Sequence, residues 1–144
     1  MFWDSSAIVP ILLVTAESHA LMPLLASDAR PAIWWSTPVE CESALFRRDR
    51  ERLLPRESVE RALDRLGALV EDVYVVAPTL ALRERAGRLL RGHPLRAGDA
   101  LQLSAALAWT EDAPRGEMFV CLDGRLREAA SRQGFAIVPA DRAR

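Results

Sequence analysis

Apolar residues fall into two patterns along the chain. Short runs, apolar on both faces, occur at Met1–Trp3, Ala32–Trp35, Val73–Val76, Met118–Leu122 and Phe135–Val138. Such runs suit strands covered on both sides, as in parallel sheets. Between them, apolar positions recur at helical spacing. Helices are expected from Ser6 to about Thr15, with Pro10 in the first turns, and from about Ser18 to Ala26. A third runs from Pro38 to about Leu53, with Thr37 as N-cap and Pro38 at the first helical position. Arg56–Glu71 carries Val59, Ala62, Leu63, Leu66 and Val70 on one face. Leu80–Leu90 stops at Gly92–His93–Pro94, Gly98 or Asp99 opens a helix to Thr110, and Leu126–Arg132 ends at Gly134. The resulting order, β-α-α-β-α-α-β-α-α-β-α-β, predicts one α/β domain with a mostly parallel sheet of about five strands and helices on both faces. The polar stretch Glu111–Gly116 reads as a surface spacer. Trp34 and Trp35, on a central strand, are expected in the core, as are Trp3 and Trp109, and none is assigned a binding role.

Composition narrows the chemistry. The 144 residues are 50% hydrophobic, which suits one domain able to bury a sizeable core. There is no lysine: all 19 basic residues are arginine, against 20 acidic residues, for a net charge of −1. A Walker A phosphate loop, a pyridoxal Schiff base and a protein-kinase phosphate lysine are therefore excluded. Cys41, Cys121, His19 and His93 form neither a disulfide framework nor a zinc spacing. The apolar run Ala7–Val14 follows Asp4 rather than a basic stretch and is too short to span a bilayer. A cytoplasmic protein with reduced thiols and no membrane partner is expected.

Open parallel sheets place their sites at the carboxyl ends of strands. Asp4 ends the first run; Ser36, Thr37 and Glu40 follow the second; Asp99 opens a helix; Asp123 ends the fourth apolar stretch of the strand series. Two readings fit. Acids favour helix N-termini, where the dipole stabilises each by about 0.3–1 kcal/mol. Alternatively, four carboxylates converge on a hard divalent cation, whose oxygen preference they match. Their mutual repulsion argues for such an ion if they do converge.

The fragments that carry these acids are Met1–Phe–Trp–Asp4–Ser–Ser6, Thr37–Pro–Val–Glu40–Cys–Glu–Ser43–Ala–Leu45, Gly98–Asp99–Ala–Leu–Gln–Leu103 and Val120–Cys–Leu–Asp123–Gly–Arg–Leu126–Arg–Glu–Ala–Ala130. In this order and spacing they resemble the four sequence blocks of the PIN-domain ribonucleases, in particular the VapC-type toxins of toxin–antitoxin pairs, over essentially the whole chain. The resemblance implies one three-layer α/β/α PIN-like domain over residues 1–144. It makes Asp4, Glu40, Asp99 and Asp123 the catalytic, metal-binding acids and Ser6 a hydroxyl supporting the metal or its waters. Glu42, two residues on, points to a different helix face and is left out of the cluster.

The implied activity is a Mg2+- or Mn2+-dependent endoribonuclease, in which the ion activates a water and steadies the scissile phosphate. Glu40, through a water, is a candidate proton acceptor. No histidine pair offers an acid–base ribonuclease instead. The implied partners are RNA, a small antitoxin and a second copy of the chain. Charge is uneven: residues 1–46 carry net −4, whereas Arg83, Arg85, Arg88, Arg91 and Arg96 stand against Glu84 alone. Those arginines are candidate RNA contacts, or one solvated helix face. Arg47, Arg48, Arg50 and Arg52 alternate with Asp49 and Glu51 and read as surface ion pairs or an interface. The apolar helices before residue 27 suit either a partner groove or ordinary core. The alternative to catalysis is a PIN-like module that binds RNA or protein without cutting it.

Overall fold

Parallel pairing of five short strands organises the chain. A computed structural model describes residues 1–140. Its elements are β1 (Phe2–Trp3), α1 (Ser5–Leu13), α2 (Ser18–Ser27), β2 (Ala32–Trp34), α3 (Thr37–Arg50), α4 (Arg56–Glu71), β3 (Tyr74–Val76), α5 (Leu80–Gly92), α6 (Ala97–Trp109), β4 (Met118–Val120), α7 (Gly124–Gln133) and β5 (Ala136–Val138). The strand order is β3-β2-β1-β4-β5, and every pairing is parallel. β1 is the centre: Phe2 registers with Ala32 on one side and with Phe119 on the other.

Alternation along each strand sends successive side chains to opposite faces. Phe2, Ala32, Trp34, Val76 and Phe119 pack with Leu82, Leu89, Leu103 and Leu126, which belong to α5, α6 and α7. Trp3, Ile33 and Val120 pack on the other face with Ile8, Leu12, Leu45, Val59 and Leu66, from α1, α3 and α4. The result is a three-layer α/β/α arrangement, with a sheet that is wholly rather than mostly parallel. Phe2 lies against Phe119 with ring centroids 5.5 Å apart, and Phe119 meets Phe135 at the same separation. The buried indole of Trp3 donates to Asp28 Oδ2 at 2.8 Å.

Local differences from the sequence-based expectation have simple causes. α1 starts at Ser5 with Asp4 as its N-cap, so Pro10 lies beyond the first turn and cannot donate to the Ser6 carbonyl. α3 is capped by Ser36, which frees Thr37 to turn inward, where it is fully buried. β2 ends at Trp34; Trp35 lies past the pleat and is 58% exposed, contrary to its expected place in the core. Trp3 and Trp34 are buried, and Trp109 packs partly buried against the α5–α6–α7 side. Among the described residues, no single helix is long and apolar enough to cross a membrane.

Parallel order around β1 also fixes where ligands can be reached. The chain winds from β1 through β2 to β3 in one direction, then returns past β1 to add β4 and β5. The carboxyl ends of β1 and β4 therefore flank the point where winding reverses, the usual crevice of an open α/β sheet. Phe119→Ala, which empties the fully buried ring between Phe2 and Phe135, is expected to lower unfolding free energy by about 3–5 kcal/mol in urea titration.

Candidate functional site

Asp4 follows β1 directly, and its amide donates to the Val120 carbonyl at 3.0 Å. That bond carries the parallel ladder one residue past the strand and holds the side chain at the sheet's carboxyl edge. Asp4 is only 4% exposed. Its Oδ2 accepts from the Ser6 amide at 2.9 Å, the N-cap bond of α1. The Cys121 thiol lies 3.6 Å from the same oxygen. Ser6 Oγ accepts from the Leu122 amide at 2.9 Å, tying the start of α1 to the end of β4. Ser6 therefore braces the segment beside Asp4. Burial pushes the Asp4 carboxyl up to about 6, against the lowering effect of its bonds to Ser6, with the charge of Glu40 adding to the rise. Burial likewise pushes up the Cys121 thiol, with Asp4 next in effect, so it stays protonated.

Glu40 lies in the first turn of α3. Three side chains donate to it: Ser36 Oγ to Oε1 at 2.7 Å, Ser5 Oγ to Oε2 at 3.0 Å, and Gln102 Nε2 to Oε2 at 2.9 Å. Gln102, on α6, is 1% exposed, and its Nε2 also donates to Thr37 Oγ1 at 3.1 Å. These partners come from three separate segments, so Glu40 is held as an acceptor with a fixed direction. Asp99 opens α6, where its Oδ2 accepts from the Arg96 amide at 3.3 Å. Its carboxyl is raised above the usual range, by burial first and then by Asp123 and Glu40, while Arg96 opposes the shift. Asp123 caps α7, with Oδ1 accepting from the Leu126 amide at 2.9 Å.

All four acids line one cleft of about 730 Å³, together with Ser5, Ser6, Ser36 and Ser43. Three of them double as helix-terminal residues, so the dipole reading and the shared-cleft reading hold at once. Glu42 lines a different, apolar groove with Phe46 and Leu66. The carboxylates and hydroxyls of the cleft are oxygen donors, the type that hard cations prefer. The spacing is looser: among the described residues, no group of three or more His, Cys, Asp or Glu side chains is arranged to hold a metal ion. The acids are thus brought to one cleft but not drawn into a closed ligand set.

Arginines enter this cleft from an unexpected place. Arg47 and Arg48, one turn and more beyond Ser43 on α3, line it along with Arg96. Of the arginine-rich stretch, Arg96 alone is there. Arg85 pairs with Asp112 at 2.6 Å and donates to the Ser104 carbonyl, and it lines a separate cleft with Arg88 and His93. Ion pairing on the α3 side involves Asp49 with Arg56 instead. Gln102 was also hidden in the sequence. Its signal is its spacing: three residues after Asp99, it shares that acid's helix face.

No family model matches the chain, and no curated protein matches it. A similar solved structure is the crystal structure of PAE2754 from Pyrobaculum aerophilum, at TM-score 0.61 and 22% identity, covering 95% of this chain and 87% of that one. At that identity the likeness shows the fold alone.

The raised Asp4 carboxyl makes stability depend on pH. The native state takes up a proton at about pH 6, which the unfolded chain takes up only near 3.8. Stability therefore falls as pH rises through that window, by on the order of 3 kcal/mol from this group. Asp4→Asn is expected to exceed the wild type in urea titrations at pH 7.5 by about that amount and to lose the advantage at pH 4. Gln102→Leu leaves the buried Thr37 hydroxyl without its amide donor and is expected to cost about 1–3 kcal/mol in the same assay.

Proposed function

We propose that this cleft is the site of a metal-dependent endoribonuclease, acting as the toxin of a toxin–antitoxin pair in the cytoplasm. The observation that carries the reading is one cleft at the winding reversal, lined by all four acids that the sequence pattern selects and edged by three arginines. A bound Mg2+ or Mn2+ would supply an activated water and stabilise charge on the scissile phosphate. The remaining roles fall to the chain itself. Arg47, Arg48 and Arg96 attract and orient the phosphate backbone, which acids alone would repel. Glu40, with three donors fixing its oxygens, is the acceptor whose direction is best defined and so the candidate to take a proton from water. Asp4 and Asp99, raised by burial and by their acidic neighbours, favour any arrangement that brings positive charge to them.

The same reading carries its partners: an RNA substrate, a small antitoxin whose tail covers the cleft, and a second copy of the chain. The open spacing of the acids favours a second reading, a module that binds RNA or protein in this cleft without cutting it.

Purified wild-type chain with manganese and a mixed RNA substrate separates the two. Cleavage that EDTA abolishes, and that Asp99→Asn lowers by at least about a hundredfold, is the expected outcome. RNA retention without cleavage in any divalent metal leaves the binding module. Inducible expression in a bacterial host should arrest growth with the wild type and not with Asp99→Asn.

A further inference from the structure

Trp35 is out of place as a structural residue. Trp3 and Trp34 are buried, yet Trp35 keeps 58% of its surface in water. An apolar residue just before a helix cap usually packs on the fourth helical position, stapling the chain's approach. Here the cap is Ser36 and the fourth position is Glu40, whose carboxylate is engaged by Ser5, Ser36 and Gln102. No staple is possible, and the exposed indole has no structural account of that kind.

Its placement is nonetheless fixed. The Trp35 amide donates to the Val76 carbonyl at 3.2 Å, and its ring meets Trp34 edge-on, with centroids 6.5 Å apart and planes 66° apart. Its chain neighbour Ser36 lines the acidic cleft, as does Val39, which is 63% exposed. Trp35 thus sits one residue outside a cleft that Val39 and three arginines line. An exposed aromatic ring takes up an unpaired base, because every base has a stackable face, and nearby cations attract the backbone that carries it. A duplex keeps its bases paired and offers no such face.

We propose that Trp35 is a stacking platform for one nucleobase of single-stranded RNA next to the cleft. This rests on the ribonuclease reading for the identity of the ligand. It assigns single-strand preference to Trp35 and phosphate attraction to the arginines, two separable contributions.

The test uses the full chain in EDTA with two fluorescein-labelled decamers, oligoadenylate and an abasic strand with the same phosphates, read by fluorescence anisotropy. Wild type should bind oligoadenylate about tenfold more tightly than the abasic strand. Trp35→Ala should erase that difference while keeping abasic binding, and Trp35→Phe should retain most of it. Arg47→Ser with Arg48→Ser should weaken both strands alike. Circular dichroism and thermal melting confirm that each variant folds. If Trp35→Ala still discriminates between the strands, the platform is overturned while the ribonuclease reading stands. If Trp35→Ala instead changes the oligomeric state and leaves RNA binding intact, the ring serves a protein contact and the platform is equally overturned. If wild type binds neither strand, the platform is overturned, and the ribonuclease reading falls with it only where the manganese cleavage assay is also negative.

Discussion

The burial of Asp4 is the constraint on which the rest of the structure turns. A carboxylate at the carboxyl end of the central strand is walled by β2 and β4 and capped onto α1, and it is nearly sealed from water. Desolvation of that kind is costly unless polar groups surround the charge. The Ser6 amide and the Cys121 thiol approach it, and the Ser6 hydroxyl ties the end of β4 to the start of α1. These contacts soften the penalty without removing it, as the carboxyl's rise to about 6 shows. The cation proposed for this cleft would offset that cost.

Around that acid, charge is distributed by depth. Glu40 and Gln102 form a polar seam between α3 and α6, with Ser5, Ser36 and Thr37 completing it. Here hydrogen bonds rather than cations satisfy the carboxylate. Asp99 and Asp123 lie at helix starts, where backbone amides receive them. The arginines of α3 and Arg96 reach the cleft from its sides. Among the described residues, acid and base thus share one opening, and the hydrogen-bonded seam around Glu40 contains no arginine.

Much of this was legible in the sequence, and the limits have physical reasons. The strands are short, apolar on both faces and bounded by Pro, Asp or Ser, so β1 to β5 all fall where the runs are. Asp4 and Asp123 are legible because they close such runs, and Glu40 and Asp99 because they fall in the first turns of the helices that follow. The strands are shorter than the runs: Trp35 and Cys121 still donate to Val76 and Val138, but the extended strand ends one residue earlier. Exposure of Trp35 follows from that stop, which no run of apolar letters marks. Gln102 and Ser5 depend on how α6 and α1 meet α3, a tertiary matter. Arg47 and Arg48 alternate with acids in sequence and look self-paired, but a helix separates neighbours by about 100° and sends those acids elsewhere. How tightly the four acids close on an ion is likewise a matter of ångströms that spacing in sequence does not contain.

The strand order also sets a sequence in time. β1, β2 and β3 are all available once Val76 has been synthesised, but β1 keeps one open edge until Met118–Val120 arrives to occupy it. Without β4, Asp4 would lie at an open edge of the sheet, facing water. Pairings between such distant segments form late and slowly. The cleft, drawn from residues 4, 40, 99 and 123, is complete only once Asp123 has been added, and a fragment that ends before it lacks that wall.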